Sequence, residues 1–189
     1  MTPTDPLAVA AVVGQLLERA GLCYAIGGSV AASLIGEPRS TLDLDIMIDH
    51  DIEKTAVLTH ELSEGFYVDH ESAMTAARER GTFNAIHLGS SLKIDFFVAE
   101  DSSLAREALA HRRRIESPGS PALYFYALED LVARKLLWFH LGGEVSERQW
   151  RDVLGMLRLN ADSVDRVRLR ALAVGAGVGH LLDKAIRQT

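Results

Sequence analysis

The chain has little cysteine and no long apolar run. Its 189 residues include a single cysteine, Cys23, which excludes an intramolecular disulfide and predicts a small packed side chain in a reducing compartment. No apolar segment approaches the length of a membrane span, and the first residues lack the basic start of a secretory signal. These absences predict a cytoplasmic protein.

The chain also has fewer basic than acidic residues. The 20 lysine and arginine residues are outnumbered by 26 acidic residues, which gives a formal net charge of −6. This balance argues against a protein that coats nucleic acid through bulk positive charge, so the substrate needs a specific site. The short run Arg112-Arg113-Arg114 is interpreted as solvated surface, with contact to a nucleic-acid acceptor as the alternative.

Residues before position 118 alternate between helical and strand patterns. Asp5 is a predicted N-cap with Pro6 in the first helical position, and Gly21 ends that helix. Further helices are predicted over 30–35, 51–64, 72–80 and 102–110, with strands over 22–26, 42–48, 66–68, 82–88 and 92–98. The alternation predicts an α/β (α+β) fold in which helices flank a mixed β-sheet.

Turn-forming residues between Glu116 and Pro121 mark a predicted domain boundary. Beyond them the pattern is almost wholly helical, with helices over 129–141 and 147–159 and two further stretches to the C-terminus. We therefore predict a catalytic core over residues 1–118 and a helical C-terminal module over residues 119–189.

Two acids occupy alternate positions of the strand 42–48. Side chains alternate between the two faces of a strand, so Asp43 and Asp45 project together while the apolar residues point the other way. Paired carboxylates repel each other unless they share a cation. A third acid, Asp95, lies in the middle of the strand 92–98 and joins them if the two strands are neighbours.

A glycine turn, Gly27-Gly28-Ser29, precedes these acids. Glycines let the backbone approach a ligand closely, and amides at the start of the following helix, with the Ser29 hydroxyl, can donate to phosphate oxygens. Oxygen-rich acid groups suit Mg²⁺ or Mn²⁺, and such ions bridge phosphates. The turn and the acids together predict a pocket for a nucleoside triphosphate (NTP) and its metal ions.

These motifs resemble the nucleotidyltransferase superfamily typified by DNA polymerase beta, and within it the minimal bacterial AbiEii-like group. The resemblance rests on Gly27-Gly28-Ser29, Arg39, Thr41, Asp43, Asp45, Asp95, Leu128-Glu129-Asp130-Leu131, Lys135 and Arg151-Asp152. It covers most of the chain. Arg151 is a departure, because the group commonly has a lysine directly before the acid of this helix, and arginine differs from lysine in geometry.

The resemblance implies that the three acids are catalytic metal ligands. Asp43 and Asp45 would hold both metal ions, and Asp95 would bind the catalytic ion and help to deprotonate the acceptor hydroxyl. The helical residues Lys135 and Asp152 are implied as further catalytic residues, the lysine at the triphosphate or the acids and the aspartate at the lysine or the acceptor.

The resemblance also implies how the nucleotide is bound. Gly28 and Ser29 would bind the β- and γ-phosphates, and Gly27, Arg39 and Thr41 belong to the same nucleotide-binding segment. The implied reaction moves a nucleoside monophosphate from an NTP, with ATP among the candidates, to a hydroxyl and releases pyrophosphate.

Some members of the group act as toxins, which implies a toxin-like role with an RNA or protein acceptor and a cognate antitoxin. The sequence leaves the acceptor open among tRNA, another protein and a small molecule such as an antibiotic. It also leaves open the preferred base and the oligomeric state.

Two other function classes fit part of the pattern. A non-catalytic nucleotide-binding or regulatory protein would keep the fold without turnover. An aspartyl-nucleophile phosphatase also begins with Asp-x-Asp after an apolar strand, but it needs a small residue such as threonine where Met47 stands.

Histidine and tryptophan add no further predicted site. The seven histidines show neither paired helical spacing nor clustering with cysteine, so no zinc site is predicted. Trp138 and Trp150 occur at helical positions and are interpreted as core residues rather than base-stacking platforms.

Overall fold

The structure, a computed structural model, describes residues 5–37, 43–117 and 119–189. Within these residues the chain forms nine helices and one seven-stranded sheet. The helices are α1 (Pro6–Arg19), α2 (Gly28–Ile35), α3 (Ile52–Leu62), α4 (His70–Glu79), α5 (Ser103–Ala110), α6 (Leu128–Leu141), α7 (Glu147–Leu159), α8 (Arg166–Gly175) and α9 (Gly179–Ile186). The strands are β1 (Tyr24–Ile26), β2 (Asp43–Ile48), β3 (Phe66–Val68), β4 (Thr82–His87), β5 (Lys93–Val98), β6 (Arg113–Ser117) and β7 (Ser120–Phe125).

The sheet is mixed and has the order β3-β4-β5-β2-β1-β7-β6. Strand β2 lies at its centre, parallel to β5 and antiparallel to β1. The strands predicted over 82–88 and 92–98 are present as β4 and β5, which pair antiparallel as a hairpin. The α/β fold, with a mixed sheet and flanking helices, is therefore confirmed.

The segment after the predicted boundary does not become helical at once. Residues 120–125 form β7, which pairs antiparallel with β6 and parallel with β1. The prediction of an almost wholly helical pattern is therefore wrong for this segment, because it pairs with two strands and continues the sheet. Residue 118 lies outside the described residues, between two paired strands, and the division into two domains remains a prediction.

Helices cover the sheet according to their apolar faces. On β2, the side chains of Leu44, Ile46 and Ile48 are fully buried, as the alternation predicts. Helix α1 contacts β7, β2 and α3, whereas α6 contacts α2, α7 and α8. In the described ranges, no helix combines the length and apolarity that a membrane crossing requires.

The first helix begins as the sequence predicts. The Asp5 carboxylate caps α1 by accepting a hydrogen bond from the backbone N–H of Ala8 at 3.2 Å, and Pro6 occupies the first turn. The cap satisfies an amide that has no partner within the helix.

Candidate active site

The acids meet on the face of the sheet opposite the buried side chains of β2. Because β2 and β5 are parallel neighbours, Asp45 stands directly opposite Asp95 in the register of the two strands. Asp43, two residues before Asp45, is exposed at the start of β2. Strands β2 and β5 are therefore neighbours, as the predicted approach of Asp95 to the first two acids requires.

The glycine turn and Asp45 are in close contact. Gly28 adopts a left-handed backbone with φ of +57°, and a Cβ atom built on it would lie 1.7 Å from Oδ2 of Asp45. The backbone N–H of Gly27 donates to the carbonyl oxygen of Asp45 at 2.9 Å, and the backbone N–H of Ser29 donates to the Asp45 carboxylate. The turn thus fixes the position of this carboxylate as well as bordering the cavity.

Asp45 lies in an unfavourable electrostatic environment. Burial raises the pKa of its carboxyl above the ordinary value of 3.8, and the neighbouring charge of Asp95 raises it further. The positive charge of Lys135 and the amide of Ser29 act in the opposite direction but do not cancel the effect. A positive ion beside Asp45 would relieve this accumulation of negative charge.

Asp95 forms an ion pair with Lys93. The Lys93 ammonium lies 2.8 Å from Oδ1 and 3.0 Å from Oδ2 of Asp95, two residues along the same strand. Asp95 is thus adjacent to Asp45, but it does not belong to the wall of the cavity formed by the described residues around Asp45.

Lys135 and Asp152 join α6 to α7 beside the acids. The Lys135 ammonium donates to Oδ2 of Asp152 at 2.9 Å, and the two side chains are only 10% and 8% exposed. The structure therefore brings the lysine and the acid together, as the resemblance implies. Their catalytic roles remain predictions.

Most of the predicted site residues surround one cavity of about 490 Å³. Its wall includes Gly27, Gly28, Ser29, Asp43, Asp45, Lys135 and Asp152 from the predicted set. Arg39 and Thr41 lie outside the described residues, so their predicted contact with the nucleotide has no structural account.

The same cavity has wall residues that the sequence did not indicate. Arg148 of α7 donates from Nη2 to Oγ of Ser29 at 3.4 Å. The Tyr126 hydroxyl donates to Sδ of Met47 at 3.3 Å, and its ring occupies the space that a Cβ on Gly27 would fill. The spacing of Arg148 and Asp152, which stand one helical turn apart, is the signal that could have indicated the arginine.

Trp138 also belongs to this wall, so its interpretation as a core residue is wrong. Its side chain is 47% exposed, and its ring lies edge-on to Phe97 with 6.4 Å between centroids. Trp138 follows Lys135 by three residues and therefore shares its helix face. Trp150, in contrast, packs against the core beside Phe139.

The arginine run does not contribute to the wall that the described residues form around this cavity. The Arg112 guanidinium stacks over the Tyr124 ring at 4.7 Å from its centroid and donates to the carbonyl oxygen of Leu109. Arg114 is paired with Glu116. Both arginines thus have local partners on the surface around β6.

Solved structures share the fold of this chain at low sequence identity. A nucleotidyltransferase-like antigenic protein from Paracoccidioides brasiliensis is 17% identical, with a TM-score of 0.56 and coverage of 95% of this chain and 90% of that one. The antibiotic-resistance factor ANT(2'')-Ia is 15% identical, with a TM-score of 0.55 and coverage of 100% and 99%. A putative nucleotidyltransferase from Thermotoga maritima is 16% identical, with a TM-score of 0.53 and coverage of 79% and 94%.

The sequence itself identifies the family. Among curated proteins, none matches the chain significantly. A family model described as "Nucleotidyl transferase AbiEii toxin, Type IV TA system" matches residues 22–186, which is most of the chain. This match shows that the chain, in which Asp43, Asp45, the glycine turn and Lys135 line one cavity, belongs to the AbiEii family of nucleotidyltransferases.

Proposed function

We propose that the protein transfers a nucleoside monophosphate from an NTP to a hydroxyl acceptor in a reaction that requires Mg²⁺ or Mn²⁺. The observation that carries this proposal is the contact between Gly28 and Asp45, with Asp95 opposite Asp45 on the neighbouring strand. This contact supports the proposal because the glycine turn, Asp43 and Asp45 line the same cavity, and Asp95 is adjacent to Asp45.

The acids fit divalent metal ions by their chemistry and their environment. Asp43, Asp45 and Asp95 offer carboxylate oxygens, the donors that Mg²⁺ and Mn²⁺ prefer, and the Asp45 carboxylate is crowded by negative charge. These three residues would hold the ions. Bound ions would neutralise phosphate charge and stabilise the leaving oxygen.

Positively charged and hydroxyl side chains would bind the triphosphate. Arg148 and Ser29 are in contact at the glycine turn, and both line the cavity. Because the Ser29 amide is bonded to Asp45, we assign phosphate binding at this turn to the Ser29 hydroxyl, the Gly28 backbone and the Arg148 guanidinium. Lys135 also lines the cavity.

The proposed reaction is one displacement at the α-phosphorus. The acceptor oxygen forms a bond to the α-phosphorus, and the bond between that phosphorus and the α–β bridging oxygen breaks. The hydroxyl proton passes to the Asp95 carboxylate, and pyrophosphate leaves with the electron pair of the broken bond. Lys93 balances the charge of Asp95 before the transfer.

The apolar part of the wall would bind the base. Trp138, Phe97 and Met47 all line the cavity, and the half-exposed indole of Trp138 offers a stacking surface. We expect Trp138→Leu to weaken NTP binding about tenfold, because stacking of one base contributes about 1–3 kcal/mol. Trp150→Phe is the control and should leave the NTP affinity unchanged, and NTP should quench the tryptophan fluorescence of this variant as it does that of the wild type. A loss of NTP affinity in Trp150→Phe but not in Trp138→Leu would place the base elsewhere.

The decisive experiment measures transfer of label from an α-labelled NTP. Asp43→Ala and Asp45→Ala should abolish labelling while circular dichroism shows an intact fold. Asp101→Ala is the matched control, because Asp101 is an exposed acid paired with Arg106 outside the cavity. Unchanged turnover in either cavity variant would contradict the mechanism.

The acceptor is to be found by incubating the protein with each α-labelled NTP and Mg²⁺ together with cell RNA, total protein or candidate antibiotics. Label in one fraction identifies the acceptor class. NTP binding without label in any fraction would favour a non-catalytic nucleotide-binding protein.

A toxin role with a cognate antitoxin is supported by the family description, which names a toxin of a type IV toxin–antitoxin system. We expect expression of the wild-type chain to slow bacterial growth and Asp45→Ala to relieve the effect. Equal growth inhibition by both proteins would separate the toxicity from nucleotidyl transfer.

A further inference from the structure

Two histidines and a glutamate from separate segments meet at the end of α6. Nδ1 of His140 lies 2.8 Å from Oε1 of Glu144, and Nε2 of His180 in α9 lies 3.9 Å from the same oxygen. The two imidazole rings are 5.9 Å apart between centroids. One ligand atom from each residue can be chosen so that all three lie within 4.8 Å of one another.

We propose that His140, Glu144 and His180 form a binding site for a late first-row divalent cation, with Zn²⁺ as the representative ion. Two imidazoles with one carboxylate are the donor set that such ions prefer, and three protein ligands leave one position for water. The site is separate from the cavity that holds Asp45, whose wall includes none of these residues.

The distances suit this assignment. Ligands at about 2.1 Å from a tetrahedral ion lie about 3.4 Å from one another. The separations of 2.8 Å and 3.9 Å fall on either side of that value, and one donor atom from each residue lies within 4.8 Å of the other two. The side chains of His140, Glu144 and His180 are 47%, 37% and 60% exposed, so small rotations can bring the three donors to an ion.

The backbone at Glu144 holds its carboxylate toward the histidines. Glu144 has φ of +62°, a left-handed conformation that is unfavourable for a residue with a Cβ atom, and it follows Gly143, which has φ of +75°. Its N–H donates to the carbonyl oxygen of Phe139 at 2.8 Å. This turn reverses the chain after α6 and places Glu144 beside His140.

A second histidine–glutamate pair shows what helical spacing alone produces. His111 and Glu107 are also four residues apart, with Nδ1 and Oε2 at 3.1 Å. Within the described residues, only the group around Glu144 adds a second histidine to such a pair. An ordinary surface ion pair explains the approach of His140 to Glu144 but not the additional approach of His180.

A bound ion would connect α9 to the end of α6. Helix α6 also carries Lys135 and Trp138, which line the candidate active site. Lys184, one turn beyond His180, acts on Glu144 as a positive charge, while its ammonium lies 5.0 Å from the centroid of the Trp150 ring. The ion would thus stabilise the position of α9 against the C-terminal end of α6.

The test is a titration of the full chain, without a polyhistidine tag, by Zn²⁺ in excess Mg²⁺, which occupies oxygen-rich sites. We expect one equivalent to bind by calorimetry and the melting temperature (Tm) to rise. His180→Gln should weaken binding at least about tenfold, because loss of even outer-shell partners costs about 10–100-fold. Co²⁺ should give the absorption bands of a four-coordinate ion in the wild-type protein.

His111→Gln is the matched control and should bind Zn²⁺ as the wild type does, as should Asp45→Asn. The metal-free His180→Gln protein should keep the wild-type Tm, since His180 is exposed. Absence of Zn²⁺ binding in the wild type, or equal weakening by His111→Gln and His180→Gln, would overturn the proposal. No NTP enters the measurement, so its outcome does not depend on the proposed transferase reaction.

Discussion

Gly28 and Asp45 constrain each other within the candidate active site. The positive φ of Gly28 disfavours a side chain, and the Asp45 carboxylate fills the space where a Cβ atom would lie. The adjacent Ser29 amide holds the same carboxylate. At the residue scale, the requirement for glycine therefore arises from the position of the Asp45 carboxylate.

We predict that Gly28→Ala strongly weakens Mg²⁺-dependent NTP binding. The added Cβ would have to displace the Asp45 carboxylate, because the two atoms would be 1.7 Å apart. Calorimetry with Mg²⁺ and NTP measures the effect. Gly65→Ala is the control, since no heavy atom lies within 4 Å of its added Cβ and its φ is not in the left-handed range. Equal NTP affinity of the two variants would contradict the role of Gly28.

Asp45 should reduce the stability of the metal-free protein. Burial and the charge of Asp95 raise the pKa of its carboxyl in the folded chain above the ordinary value of 3.8. At a pH between the unfolded-state pKa and the raised folded-state pKa, the folded chain therefore binds more protons than the unfolded chain. The free energy of unfolding therefore falls as pH rises through this window and stays lower above it.

Asp45→Asn, which cannot ionise, should consequently raise the Tm at neutral pH, and the difference should shrink as the pH falls to about 3.8. Asp51→Asn is the control and should lower the Tm at neutral pH. The hydrogen bond from the Lys54 amide lowers the pKa of Asp51, so the ionised carboxylate stabilises the folded chain. A lower Tm for Asp45→Asn in metal-free buffer would contradict the electrostatic account.

At the scale of elements, α6 connects the sheet region to the C-terminal helices. It contacts α2, α7, α8 and α9. Ion pairs reinforce two of these contacts: Lys135 pairs with Asp152 of α7 at 2.9 Å, and Asp130 pairs with Arg168 of α8 at 2.8 Å. The first pair also lies at the cavity, so the same contact joins helices and borders the site.

Breaking the Lys135–Asp152 pair should cost far more than breaking an exposed pair. Lys135→Met leaves the Asp152 carboxylate buried without the lysine, which typically costs about 3–5 kcal/mol. Lys135→Met with Asp152→Leu should recover most of this loss, since a well-packed apolar pair is often as stable as a buried ion pair. Urea denaturation of the two single variants and the double variant gives the coupling energy.

The exposed pair Lys54–Asp51, at 3.2 Å, supplies the comparison. Lys54→Met should change the free energy of unfolding by less than about 1 kcal/mol. A cost for Lys135→Met that does not exceed the cost for Lys54→Met would show that the buried pair does not hold α6 and α7 together.

At the scale of the whole molecule, the candidate active site lies between parts of the chain that are distant in sequence. Its wall combines residues 27–29, 43–47 and 97 of the sheet region with residues between 126 and 152, which include α6 and the start of α7. A ligand in this cavity contacts both groups of elements. Its binding energy therefore opposes unfolding of either group.

Mg²⁺ and NTP together should raise the Tm of the wild-type protein. At an NTP concentration 100 times the dissociation constant the gain is about 2.7 kcal/mol, which corresponds to about 5–10 °C for a chain of this size. Mg²⁺ alone or NTP alone should give a smaller shift, and Asp45→Ala should give none. A full shift without Mg²⁺ would mean that the nucleotide binds independently of the acids.

The sequence by itself determined the features that depend on near neighbours. Strand alternation put Asp43 and Asp45 on one face of β2, and helix signals located the cap at Asp5. Pro121, near the start of β7 and close to the irregular register of β6, made this strand resemble a turn. Such patterns extend over only a few residues, so a proline or glycine can outweigh a strand signal.

Only the tertiary structure decided which distant residues meet. The register of β2 and β5 placed Asp95 opposite Asp45, and helix packing brought Arg148 to Ser29 and His180 to Glu144. The partners in each of these pairs lie 36 or more positions apart in the sequence. Periodicity assigns a residue to a face of its own element, but only the packing of whole elements determines which faces come into contact.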